Sequence, residues 1–395
     1  MSHLLVFLFP MIVDMVLSSA LFMATVWAAE NGAKASAVSN LLSAWSVIYM
    51  LASLAIGRVV TRRNAAWLLI TACLATAIQS ALLARCSGLL GMYLLIGLLG
   101  VTMGMFWTPF QVFMKVVGEG RQRPITQSVG LYTLSWSIGY ALGPFSAGFL
   151  WDRLGWHDCH LLNAAVVIVV AFGIWLLKHH ATSHPAADHQ PDTTPENGTH
   201  NTPYAKMPDL AWMGWIFGGV CCMAVSMVRG VFPTTGADLQ LSKSTQGLTM
   251  AALSASQGLM GMSLAYGRWW MYRPWPILAI GAAGTVALTL FALAGTSTTF
   301  YVAAACLGLY TGSMYFYLVF HSLVHPERSA RYVSINEAMV GLTGIAGPAL
   351  GGLVADLQSP SSSYLVTAAI VMVAVAVQAA LHARLATNPP AATNK

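Results

Sequence analysis

The chain has 395 residues, of which 57% are hydrophobic and only 8% are Asp, Glu, Lys or Arg. A soluble domain carries about 25% charged residues to keep its surface hydrated, so this composition excludes an ordinary soluble fold. The net charge of +6 would suit a nucleic-acid binder, but the placement of the basic residues gives it a different meaning.

A helix that crosses the hydrocarbon of a bilayer needs about 20 predominantly apolar residues. Such stretches fall at 4–29, 36–57, 65–85, 89–116, 124–151 and 161–178, and then at 210–233, 245–267, 275–295, 299–323, 332–355 and 363–384. The expected fold is an all-α membrane protein of twelve transmembrane helices. The runs do not alternate apolar and polar residues, which excludes a transmembrane β-barrel. Span 1 has no basic leader and no small-residue cleavage site, so it is expected to be retained and not removed as a signal peptide. The six cysteines show no zinc-finger spacing. Cys86 and Cys159 fall near one predicted surface, where a disulfide between them is open.

Ionisable groups within a span are functional candidates because burying them in hydrocarbon costs free energy. Asp14 lies about 15 Å into span 1 among Met11, Ile12, Val13, Met15 and Val16, none of which can partner it. Burial disfavours its charged form, which makes it the first candidate for proton coupling. On span 4, Trp107 and Gln111 are four apart and share a helix face, where they can shape a pocket. Arg229 lies on span 7, four residues before Pro233. A guanidinium stays charged, so it needs an anion, water or carbonyls; facing a cavity it would take a carboxylate or phosphate, and otherwise it would snorkel to the surface. Tyr310, Tyr317 and His321 recur on span 10 at seven and four, and His321 can titrate near neutral pH. Glu337 lies about one turn into span 11 and is a second candidate proton site.

With both termini cytoplasmic, fourteen Lys and Arg fall on the cytoplasmic side and four (Lys34, Arg85, Arg153, Lys243) on the other. Basic residues concentrate in cytoplasmic loops, so this bias predicts cytoplasmic termini and explains the net charge without nucleic acid. A bacterial inner membrane is the expected location. Residues 179–208 are rich in His, Pro, Thr, Asn and Asp, a composition that stays solvated and flexible. A polar cytoplasmic linker explains His179, His180, His184 and His189 better than a metal-binding tract does. The linker separates an N-terminal six-helix bundle (1–178) from a C-terminal bundle with a short tail (209–395).

The two halves repeat. Gly57-Arg58 with Arg63 after span 2 matches Gly267-Arg268 with Arg273 after span 8. Span 5 carries Gly139-x-x-x-Gly143-Pro144-x-x-x-Gly148 followed by Asp152, and span 11 carries Gly347-Pro348-x-x-Gly351-Gly352 followed by Asp356. The offsets are 210 and 204 residues, in agreement with one duplication of about 200 residues. The glycines are expected to seat spans 5 and 11 tightly against the other half, and the prolines to bend them.

With these motifs the chain resembles the major facilitator superfamily of twelve-helix transporters. The span-5 motif is similar to that family's G-x-x-x-G-P-x-x-G-G pattern. The turn 57–63 resembles its G-x-L-x-D-R-x-G-R-R turn, with Thr61 in place of the Asp and Asn64 in place of the Gly. Span 4 lacks the arginine found in many of its drug–proton antiporters. The resemblance implies a V-shaped bundle with spans 1, 4, 7 and 10 around a central cavity and spans 2, 5, 8 and 11 between the halves. Rocking of one half against the other would expose the cavity to each side in turn.

The expected function is therefore secondary active transport of a small organic solute, anionic if Arg229 faces the cavity, coupled to protons. A monomer without a cofactor, embedded in lipid, is expected. A drug or metabolite efflux pump fits the same spans. Met223-x-x-x-Met227 and Met11-x-x-x-Met15 could offer paired thioethers to Cu(I), although 20 methionines yield such pairs from composition alone. No hydrolase or nucleotide-binding motif points to an enzyme, and a non-transporting receptor would not need the duplication.

Overall fold

The computed structural model describes residues 2–61, 63–118, 125–182, 209–267, 269–270, 273–323 and 329–387. The side chains of 2–7, 111–112, 114–118, 125–129, 132, 179–182, 274, 277, 329–331, 333–334, 337 and 385–387 lie outside that description. The polar segment 183–208, Arg62 and Arg268 also lie outside it.

Four helices come first: α1 (Ser2–Glu30), α2 (Ala35–Gly57), α3 (Ala65–Leu83) and α4 (Leu89–Gly118). The helical run 125–182 is then broken at Gly155, where φ is +83° and ψ 171°. It forms two helices, α5 (125–154) and α6 (156–182). The second half follows as α7 (Ala211–Asp238), α8 (Lys243–Tyr266), α9 (Pro274–Leu293), α10 (Ser297–Leu323), α11 (Ser329–Leu357) and α12 (Pro360–Thr387). Among the described residues this makes twelve helices and no strand, as the six-and-six pattern predicts. Gly155 provides the reversal between α5 and α6 because its backbone conformation is essentially reserved for glycine.

Among the described residues nine apolar runs are long enough to cross a membrane, and one of them, Thr133–Lys178, holds both α5 and α6. The chain is an integral membrane protein. α8 is less apolar for a structural reason: its Thr249, Ser254 and Gln257 are buried within protein and not against lipid. Gln257 accepts from Thr311 of α10 (3.2 Å) and donates to Ser137 of α5 (3.3 Å). Ser242 caps α8 by accepting from the Thr245 amide (3.2 Å). One hydrophobic core is built mainly from the first six helices and the other mainly from the last six.

The repeated glycines do two jobs, which corrects the expectation that all of them face the other half. Gly139 and Gly143 seat α5 on α1, against Met11, Asp14, Met15, Ser18 and Ser19. Gly347 and Gly351 seat α11 on α7, against Met223, Met227 and Val231. These contacts lie within each half. Only the last glycines cross between halves, Gly148 onto Lys243 and Ser244 of α8, and Gly352 onto Ala35, Ser36 and Ser39 of α2. A side chain at Gly139, Gly143, Gly148, Gly347 or Gly352 would meet the facing backbone, and one at Gly351 would meet the Met227 and Val231 side chains.

The same end of the bundle carries two polar ties between halves. Asp356 of α11 accepts from the Ser36 amide (3.2 Å) and from the Ser36 hydroxyl. Lys243 pairs with Glu30 at 3.0 Å, and its ammonium sits 5.0 Å from the Trp151 ring centroid. The turn after α2 closes on itself: the Thr61 amide donates to Asn64 Oδ1 (2.7 Å) and the Asn64 amide to Thr61 Oγ1 (3.3 Å). The two residues that depart from the family pattern thus bond each other. All six cysteines are free, including Cys86 and Cys159.

Candidate functional site

Asp14 is 1% exposed. It faces α5 at Gly139, where an added Cβ would lie 2.8 Å from Asp14 Cβ, so the missing side chain is what makes room for the carboxyl. The Trp107 side chain of α4 hydrogen-bonds the carboxyl. The second oxygen, Oδ2, is buried and has no hydrogen-bond partner among the described residues. An unpaired carboxylate oxygen in a protein interior is costly, which favours a bound proton or a mobile partner.

Arg229 approaches from the other half. Its guanidinium lies 4.8 Å from the Tyr140 ring centroid on α5 and donates to Ser254 Oγ on α8 at 3.3 Å. The geometry with Tyr140 is a cation–π contact, worth about 0.5–2 kcal/mol. A guanidinium has five N–H donors, and the hydroxyl of Ser254 is the acceptor it meets among the described residues. Arg229 and Asp14 feel each other's charge without a direct ion pair among the described residues.

Beside Arg229 lies a cavity of about 50 Å³ lined by Ser18, Tyr140, Pro144, Arg229, Pro233 and Ser254, among others; Asp14 lies one helical turn before Ser18 on α1. A water needs about 10–15 Å³ of such volume, so the space holds a few waters. Pro144 and Pro233 interrupt α5 and α7 at the cavity wall, where each lacks an N–H to complete the helix ladder. An aromatic group continues from the cavity. Trp136 meets Tyr140 edge to face at 6.0 Å and Tyr315 of α10 at 5.4 Å, and Tyr315 hydrogen-bonds Cys222 of α7.

Of the residues singled out in the sequence, Asp14, Trp107 and Arg229 converge here. Tyr310, Tyr317 and His321 do not. Tyr310 packs on α9, where a Cβ on Gly284 would meet its ring at 2.6 Å. Tyr317 hydroxyl lies 3.4 Å from His382 Nε2 of α12, and its ring centroid lies 4.2 Å from that of His321. The seven-residue spacing picks out the face of α10 that is turned into its own half. Tyr315, two residues from Tyr317, points the other way because each helical residue turns about 100°.

Met227 packs its side chain on Gly351, and the Met223 and Met227 backbones lie against Gly347, so this pair serves helix packing. Pro348 lies against α7 at Gly230, where an added Cβ would be 3.1 Å from Pro348 Cβ. A Cβ on Gly57 would lie 3.9 Å from Thr108 Cγ2 of α4; Arg58, Arg63 and Arg273 are exposed. Gly267 ends α8 in an extended conformation, and the Trp270 indole donates to Leu264 O (3.0 Å) and Gly267 O (2.9 Å). The side chains of Gln111 and Glu337 lie outside the described residues. Sequence reasoning missed Trp136, Tyr140, Tyr315, Ser254 and Cys222. The usable signal was Trp136-x-x-x-Tyr140, an aromatic pair on one face directly before the Gly143-Pro144 bend.

The family model described as Major Facilitator Superfamily matches residues 4–320 and 214–395. No curated protein sequence matches. Among solved structures the nucleoside transporter NupG is similar with a TM-score of 0.71 and 13% identity, over 96% of this chain and 99% of that one. A bacterial homolog to the human lysosomal transporter Spinster, inward-facing and unoccupied, gives a TM-score of 0.70 at 13% identity, over 98% and 99%. Its occupied form gives 0.67 at 13% identity, over 97% and 96%. At such identities the likeness establishes the fold.

Proposed function

This chain belongs to the major facilitator superfamily, and on that premise we propose that it carries a small organic anion together with a proton by alternating access. As a member of that family it is a secondary transporter; the solute and the coupling are our reading. The reading is supported by a guanidinium that lines a cavity and by a buried carboxyl on the opposite half, with a free oxygen and no ion pair to it, one helical turn from Ser18 of the same cavity. With Asp14 ionised, its field offsets the charge of Arg229. With Asp14 protonated, Arg229 is left with an uncompensated charge in a low-dielectric site and takes an anion. Proton and anion then load together, so the site gains no net charge as the halves exchange sides.

In this reading the bundles 1–178 and 209–395 rock about the α2–α11 and α5–α8 seams, with 179–208 as a cytoplasmic linker, both termini cytoplasmic and the bilayer a bacterial inner membrane. The protein works as a monomer. The test is uptake into proteoliposomes under an imposed pH gradient. Acid on the source side should drive accumulation of an organic anion, and Asp14→Asn should remove the pH-driven component while exchange of solute at equal pH persists. Full pH-driven uptake by Asp14→Asn would remove Asp14 from the mechanism. Efflux would use the same site in reverse, and the sided gradient that drives flux distinguishes the directions.

A further inference from the structure

We propose that the transported anion carries a flat aromatic ring, which docks between Trp136 and Tyr315 while its acidic group meets Arg229. The inference deepens the reading of this site as an anion carrier and depends on it for the acidic end. Trp136 belongs to α5 in the first half and Tyr315 to α10 in the second. Their rings meet at 5.4 Å with planes 75° apart. Both are half-buried, although they sit deep within the bundle. A contact that spans the halves must part when the halves rock, and parting leaves two apolar ring surfaces facing each other across the opened site. A flat ring placed there restores an edge or face contact to each, as aromatic groups prefer. An aliphatic acid of equal size restores burial but not this geometry.

The acidic end is placed by the same residues. Tyr140 touches Trp136 at 6.0 Å and holds the Arg229 guanidinium 4.8 Å from its centroid. Tyr140 therefore joins the two ends of the site, with Trp136 on one side of it and the guanidinium on the other.

The experiment is equilibrium binding to the purified full-length protein in nanodiscs, with benzoate, cyclohexanecarboxylate and benzamide as probes. Benzoate and cyclohexanecarboxylate share charge and size and differ in aromaticity, whereas benzamide keeps the ring and loses the charge. Benzoate should bind about twofold to tenfold tighter than cyclohexanecarboxylate, the range expected of an aromatic contact beyond simple burial. Trp136→Leu should erase that ratio and Trp136→Phe should keep most of it, with unchanged thermal unfolding certifying the fold of each. Equal binding of the two acids overturns the ring pocket and leaves the anion site standing. Benzamide binding as tightly as benzoate overturns the anion site and leaves the ring pocket standing. Failure of all three to bind overturns both.

Discussion

Asp356 offers the sharpest test of how one end of the bundle stays closed. The first turn of α2 has Lys34 at its cap position and no side-chain cap of its own. Asp356 supplies that cap from the other half, accepting from the Ser36 amide at 3.2 Å and from the Ser36 hydroxyl. It places a negative charge at the positive end of a helix. Loss of an N-cap costs about 0.5–2 kcal/mol; the site is exposed, so about 1 kcal/mol is the working value for Asp356→Ala. Because the cap joins the halves, that energy is lost only from the closed state, and about 1–2 kcal/mol changes a two-state ratio roughly 5–30-fold. Asp356→Asn keeps one acceptor oxygen and should do less. Spin labels at Asn31→Cys and Gln358→Cys, in a cysteine-free background, report the separation of the halves at this end by electron–electron distance measurement. Asp356→Ala should move population from the short to the long distance about fivefold, and Asp356→Asn should fall between. An unchanged distribution would refute the view that this carboxylate is a latch and leave the glycine packing and the Lys243–Glu30 pair as the ties at this end.

Arg229→Ala should weaken an organic anion about 10-fold to 100-fold, because a charge-assisted hydrogen bond is worth about 1.5–3 kcal/mol, while a neutral solute should be nearly unaffected; binding titrations with both probes check this. Gly139→Ala would drive a Cβ into Met11 O and to 2.8 Å from Asp14 Cβ, a clash costing about 1–3 kcal/mol. Proton-coupled uptake should fall more than yield of folded protein does, since the shift moves Asp14 away from Trp107. Gly155→Ala forces a side chain into a backbone conformation of φ +83° and ψ 171°. At about 1–3 kcal/mol it should lower the Tm by a few degrees in a thermal unfolding assay and leave ligand affinity unchanged.

Much of this molecule was legible along the chain. Hydrophobic runs of membrane length, the polar break at 179–208 and the repeated glycine–proline motifs led to twelve helices in two sets, and the helices found at those places follow them closely. Asp14 and Arg229 stood out because a charge in an apolar run is rare whatever surrounds it. These are local properties, set by solvation of each segment on its own.

Which side of a helix meets which neighbour is not a local property. Tyr310 and Tyr317 look like pocket residues by spacing, yet they are enclosed within their own half, while Tyr315 reaches across to Trp136. The glycine motif read as one seam divides its contacts between α1 in the same half and α8 in the other. The cap that Asp356 provides to α2 joins residues 320 positions apart. Hydropathy cannot distinguish these faces, because in a membrane protein both the lipid-facing and the protein-facing sides are apolar. Orientation comes from close packing of small residues and from where a few polar groups find partners, and both arise only when the helices are assembled.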